Sequence, residues 1–315
     1  MNGPARNSGI LLDTPWVTLY TPWSRSPVHL ALEVVVVTLG ALTLVHALRR
    51  RREGDLLPLF TWATIFIYGL AMEFLSYNFI ENFVHAQFSV MFYHRRLPLY
   101  VTAVYPTLLY TGIATARRFR FPLWAEGFVA GLLIVAMDVP FDVAGPTVGW
   151  WKWSRTDPLL AYRWCGVPVT SYYWHLAFGG ILAALTTAIG PRLRAPRQLV
   201  LALPAALITI VLGVVAFLPL HGLAALGVSN GIVVGGAWAV CFAVLLAAPK
   251  RPIATPDALL LLLPATFYAL HLIVTVGTIP LTHLAFVLAA VAFALAVNIA
   301  AHAPAFMHAK RAPAG

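Results

Sequence analysis

The sequence predicts an all-α, polytopic transmembrane bundle of about nine spanning helices. Three observations carry that expectation. Hydrophobic residues make up 60% of the 315 positions and charged residues only 10%, against about 25% charged in a soluble domain. Nine apolar runs approach the ~20 residues a spanning helix needs. Clusters of Arg and Lys follow every second run.

The runs cover residues 28–48, 56–78, 98–116, 122–145, 168–190, 198–218, 226–248, 258–278 and 281–301. Pro58, Pro98, Pro122 and Pro168 stand at helix starts, where a missing amide hydrogen costs little. Pro204 and Pro264 lie inside runs and are expected to kink them, as membrane helices tolerate. Arg49–Arg52 follow the first run. Arg117, Arg118 and Arg120 follow the third. Arg192, Arg194 and Arg197 follow the fifth, Lys250 and Arg251 the seventh, and Lys310 with Arg311 the ninth. The excess of basic residues on cytoplasmic loops places the N-terminus outside and the C-terminus in the cytoplasm. Fourteen of the 21 basic residues then lie inside.

The expected organisation is an extracytoplasmic segment 1–27, one helical domain 28–301 and a cytoplasmic tail 302–315. The site-bearing part is about 70–180. The first residues lack a basic region leading into an apolar core, so no cleaved signal peptide is expected. The net charge of +10 comes mainly from loops beside apolar runs. It reads as membrane orientation, and nucleic acid is not an expected partner. Cys165 and Cys241 lie in different segments and suggest neither a disulfide framework nor a cysteine metal site. Trp16, Trp23, Trp150, Trp151, Trp153, Trp164 and Trp174 fall near the predicted outer face, where amphipathic rings favour the interface. Gly231 and Gly235 form a small-xxx-small pattern that lets helices approach.

Function is expected where ionisable residues interrupt apolar runs. Insertion of such a group costs at least ~2.5–3.5 kcal/mol, so it faces the bundle interior and finds a partner. Glu33, Glu73, Asp138, His175 and His271 all fall roughly 7–11 Å below the predicted outer boundary, at ~1.5 Å per helical residue. Asp138 and Asp142 are four apart and share a helical face, with Pro140 between them. Asn78, Glu81, Asn82 and His85 follow an i, i+3, i+4, i+7 pattern. A helix continuing past Tyr77 would gather them into one polar stripe above that layer. Glu73, Asp138, Asp142 and His175 are therefore the candidate catalytic residues. Asn78, Asn82, Trp151, Trp153 and Tyr172 are candidates for substrate contact, and Glu81 with His85 for a metal.

The segments ENFVHAQFSVMFYHRRLPLYV, DVPFDVAG, WWKW and VPVTSYYWH resemble an uncharacterised family of multi-spanning membrane proteins found in bacteria and fungi. That resemblance covers about residues 70–180. A more distant one is to the membrane carotenoid hydratases of carotenoid biosynthesis. It rests on Glu73, Asp138, Trp151 with Trp153, and Gly166-Val167-Pro168 before Trp174. The chain departs from that family in VPFD, in Ser171-Tyr172, and in having His85, His94 and His175. The resemblance implies acid/base addition of water to an isoprenoid or other lipid.

Three classes of function are compatible with these residues. The first is a hydratase-like lyase acting on an apolar small molecule. The second is a hydrolase or oxidase using zinc or iron, for which Glu81, His85, Asp138, Asp142 and His175 are the right kinds of ligand. The third is a transporter or receptor with a proton- or cation-binding polar layer. The absence of an evident inverted repeat and an inner half expected to be apolar argue against the third. Membrane lipids are the expected surroundings. A bacterial plasma membrane is the expected location, from the Ala- and Arg-rich composition.

Overall fold

The computed structural model describes residues 15–154 and 160–309, with side chains described as far as residue 304. Arg155, Lys310 and Arg311 lie outside the described residues, as does most of the expected N-terminal segment and the end of the tail.

Nine helical segments long enough to span are present among the described residues. They begin with α1 (Pro27–Arg52) and α2 (Leu57–Leu75), which runs into a π turn at Ser76–Ile80. The third is a composite of α3 (Leu99–Tyr105), a second π turn (Pro106–Tyr110) and α4 (Thr111–Arg118). Then come α5 (Leu123–Val148), α6 (Val169–Ile189), α7 (Ala202–Ala216) with the short α8 (Leu218–Ala225), α9 (Asn230–Ala247), α10 (Ala258–Thr275) and α11 (Leu281–Ala309). Eight are long and apolar enough to cross a membrane, and the third is not among them. The prolines sit as expected. Pro58 opens α2, and Pro98, Pro122 and Pro168 are the N-caps of α3, α5 and α6.

Helix α5 is the axis of the bundle. It is apolar on every face, the pattern of a helix with neighbours all round. In its apolar window 89% of residues are buried, against 22% in α9. Its closest approach is to α6, through small residues. A Cβ at Gly131 would overlap the Leu176 carbonyl oxygen of α6. The glycine pattern at Gly231 and Gly235 does not bring two helices together. Gly231 accommodates the Tyr162 ring, 2.6 Å from where its Cβ would stand, and Gly235 makes only an ordinary contact with Trp164.

The basic ends of the helices meet at one end of the bundle. Arg118 donates to the carbonyls of Ala301 (3.2 Å) and Thr255 (2.5 Å). His46 lies between the Tyr110 hydroxyl (2.6 Å) and Asp257 (2.8 Å). Asp257 caps α10 just outside the span. Burial works to raise its pKa, but the hydrogen bond and charge of His46, the Leu260 amide and Arg118 outweigh it and hold the carboxyl at about 2. Nearby, Arg117 donates to Glu126 (3.0 Å), Thr61 (2.8 Å) and Thr186 (2.7 Å), and Thr187 also donates to Glu126 (2.5 Å). This polar bolt ties α2, α4, α5 and α6 together. The expectation of a largely apolar inner half overlooked it.

The opposite end is covered by short strands. They are β1 (Val17–Leu19), β2 (Phe83–His85), β3 (Val90–Phe92), β4 (Leu97–Pro98), β5 (Trp151–Trp153), β6 (Arg163–Trp164) and β7 (Val167–Pro168). β1, β3 and β4 form one sheet in that order, β2 pairs with β5, and β6 with β7. Glu33 accepts from the amides of Ser89 and Val90, both at 3.1 Å, and so anchors the first sheet to α1. The tryptophans do not behave as one interfacial belt. Trp16 and Trp23 are exposed, whereas Trp150 and Trp151 are buried in the core.

Tight α5–α6 contact predicts a position-specific response to a single methyl group. Gly131→Ala should cost about 1–3 kcal/mol from overpacking. Gly236→Ala, where nothing lies within 4 Å, should be neutral or stabilising by up to ~1 kcal/mol. Thermal unfolding of the two variants in detergent measures the difference.

Candidate functional site

Helix α2 brings Glu73 to the strand-covered end of the bundle and then stops. After the π turn the backbone reverses at Glu81, whose φ of 53° is left-handed, and its amide donates to the Ser76 carbonyl at 2.7 Å. The Ser76 hydroxyl donates to the Asn82 side chain at 2.5 Å. The chain then runs back as β2, antiparallel to β5, with His85 opposite Trp151. The expected helical stripe Asn78–Glu81–Asn82–His85 is therefore not formed. Backbone pairing with a distant strand overrides the helical period.

This reversal returns His85 to α2. Its Nε2 faces Glu73 Oε2 at 3.6 Å, and its Nδ1 lies 3.1 Å from the Tyr100 hydroxyl. Tyr105 donates to the other Glu73 oxygen at 2.8 Å. Glu73 is 3% exposed. Neither Glu73 Oε2 nor His85 Nε2 has a well-aligned hydrogen-bond partner.

A second group comes from α5 and α6. Asp138 and Asp142 project from the same face of α5, and His175 comes from α6. His175 Nε2 is 3.3 Å from Asp138 Oδ1. Ser171, one turn before His175, donates to Asp142 Oδ2 at 2.6 Å. One ligand-type atom from each of Asp138, Asp142 and His175 lies within 4.8 Å of the others. Asp138 is 1% exposed, and both its carboxylate oxygens lack a hydrogen-bond donor.

Both groups face one cavity of about 100 Å³. Apart from Ser76 and Asn82 its remaining walls are aliphatic and aromatic, including Met72, Val104, Leu108, Phe141, Trp151 and Trp174, and no Lys or Arg among the described residues lines it. Both π turns contribute, through Ser76 and Ile80 on one side and Leu108 and Leu109 on the other. Such turns recur at functional sites because they re-aim side chains that a regular helix would stack. Ile80 lines the cavity and is 44% exposed, so the wall reaches the surface at an apolar point.

Of the residues singled out in the sequence, Glu73, Asp138, Asp142, His175, Asn82, Trp151, Trp153 and His85 line this cavity. Asn78 does not: it is exposed, donates to the Phe74 carbonyl and accepts from Tyr93. Tyr172 is fully buried on another face of α6, among Trp164, Trp238 and Phe286. Glu81 is exposed at the reversal and outside the cavity, so it does not pair with His85 as a ligand. Glu33 and His271 do not line the cavity either. Glu33 serves the first sheet, and His271 bonds the Phe267 carbonyl at 2.7 Å. Sequence reasoning missed Tyr100, Tyr105 and Ser171. Ser171 could have been found, since it lies four residues before His175.

The Glu73 contact predicts that Tyr105→Phe leaves a buried carboxylate oxygen without its donor. The cost should be about 1–3 kcal/mol, read as a lower melting temperature in detergent. Tyr93→Phe, which removes the exposed bond to Asn78, should have little effect.

No curated protein and no solved structure matches the chain. A family profile matches residues 19–291, spanning the whole site and most of the bundle. The chain belongs to that family, described as Domain of unknown function (DUF7802).

Proposed function

We propose that this integral membrane protein is an enzyme that carries out acid/base chemistry on an isoprenoid or other lipid taken from the outer leaflet. The observation that supports it best is the pairing of two carboxylate–histidine couples, Glu73–His85 and Asp138–His175, on one apolar-walled cavity. Acid/base catalysis needs titratable groups within reach of the reacting atoms. A cavity whose other walls are mostly apolar favours a substrate that leaves the lipid phase at little desolvation cost. Ile80 marks where such a chain enters.

The reaction that fits is addition of water to a carbon–carbon double bond. Glu73, as the general acid, gives a proton to one alkene carbon, leaving a carbocation on the other. A water held by Asp138 and His175 attacks the cation, and its second proton passes to that wall. The product is an alcohol. Exchange with solvent returns a proton to Glu73 and removes one from Asp138. Tyr105 fixes the Glu73 carboxyl, and Tyr100 fixes the ring of His85 so that Nε2 points at Glu73. The distant resemblance to carotenoid hydratases in Glu73 and Asp138 points the same way.

The bolt of Arg117 and Glu126 weighs against a transport path. Glu126 and Asp138 are twelve residues apart on α5, about 18 Å at the helical rise. The intervening residues of α5 are apolar and, apart from Phe128, buried.

Product analysis with polyisoprenoid substrates in proteoliposomes checks this reading. Glu73→Gln and Asp138→Asn should each lower conversion by about 10²–10⁴-fold, while Glu81→Ala leaves it unchanged. Undiminished conversion in both carboxylate variants would remove the assignment.

A further inference from the structure

We infer that Asp138, Asp142 and His175 form a divalent-cation site for zinc, manganese or ferrous iron. The inference deepens the reading above, because the ion would hold the water that the reading requires on this wall. It also stands on geometry that does not depend on the reaction.

Charge balance is the first support. Two aspartates one helical turn apart are buried in an apolar interior, where each ionised group needs a counter-charge. Among the described residues no Lys or Arg lines the cavity. Two carboxylates and a neutral imidazole sum to −2, which a divalent ion cancels. Geometry is the second. The three donor atoms already lie within 4.8 Å of one another, and ligands about 2.0–2.2 Å from one ion need only a small inward shift. Two carboxylates with one imidazole suit these metals better than softer ones, which prefer thiolate.

The third support lies in the partners of each oxygen. Asp138 is 1% exposed and neither oxygen accepts a hydrogen bond, although buried polar groups are normally satisfied. Asp142 has one oxygen held by Ser171 at 2.6 Å, which fixes the direction of its carboxylate. A hydrogen bond of that kind orients a metal-bound carboxylate. Across the cavity, Glu73 Oε2 and His85 Nε2 are buried 3.6 Å apart with no aligned hydrogen bond. Three protein ligands leave an open coordination position facing them, the arrangement of a catalytic rather than a structural zinc. Of the five ligands suggested by sequence, this set keeps Asp138, Asp142 and His175 and leaves out Glu81 and His85.

The full chain, purified in detergent without chelator, should carry about one equivalent of zinc, manganese or iron by mass spectrometry. Cobalt(II) added to chelator-treated protein should give a saturable visible absorption. Asp138→Asn and His175→Ala should lose more than about 90% of the metal, and Ser171→Ala should weaken binding about 10–100-fold. Glu73→Gln should keep it. If the ligand variants fail to fold, wild-type protein decides alone: its melting temperature should fall on chelation and recover with one of these metals. Folded wild-type protein with no stoichiometric metal, no cobalt spectrum and no chelator effect overturns the site, as does full conversion by metal-free protein. The acid/base reading then survives with a protonated Asp138–Asp142 pair. Metal retained in Glu73→Gln with undiminished conversion supports the site and removes Glu73 from the reaction.

Discussion

An ionisable side chain inside an apolar bundle must be given a partner, and the approach of His85 to Glu73 meets that requirement at the end of α2. Neither residue could stay on a regular helix and make this contact. A continuing helix would carry His85 twelve residues beyond Glu73, about 18 Å away. The π turn, the left-handed Glu81 and the β2–β5 ribbon together fold the chain back over its own helix. The strand-covered end, the shape of the cavity and the position of Trp151 all follow from that reversal.

The bundle divides its work. The segments from α2 to α6 surround the cavity and carry its polar groups. At the basic end the same helices are locked by Arg117 and Glu126. Breaking a buried pair of this kind costs about 3–5 kcal/mol, so it also fixes how α2, α5 and α6 sit around the site. Helices α7 and α9 expose much of their surface to what is expected to be lipid. Helix α7 packs on α2 and α6, α9 packs on α5 and α6, and neither brings a residue to the cavity.

The spans were legible because hydrocarbon demands long apolar runs, and their prolines marked where helices begin. Asp138, Asp142 and His175 were legible because charge in such runs is rare and because helical spacing put two of them on one face. The β2 strand was not. Phe83, Val84 and His85 owe their conformation to β5, more than sixty residues away, and no local period announces that pairing. The same non-local cause removes Asn78 and Glu81 from the cavity. Tyr172 misled for a simpler reason: it is one residue from Ser171 on α6 and so about 100° round the helix. Glu126 was overlooked because it lies close to a helix start, where an acidic residue is ordinary. Only the fold shows Arg117 bonding it.

The reversal at Glu81 can be tested without knowing any substrate. Val84 and Lys152 are direct antiparallel partners in the β2–β5 ribbon, and both are exposed. With Cys165 and Cys241 replaced, the double variant Val84→Cys with Lys152→Cys should cross-link on mild oxidation in membranes and become resistant to alkylation. Opposed residues of such a pair lie about 4.5–5.5 Å apart, within the reach of a disulfide. Two cysteines that remain fully alkylable after oxidation would contradict the ribbon and return residues 78–85 to a helix. His85 would then lie far from Glu73, and the site would lose one of its two couples.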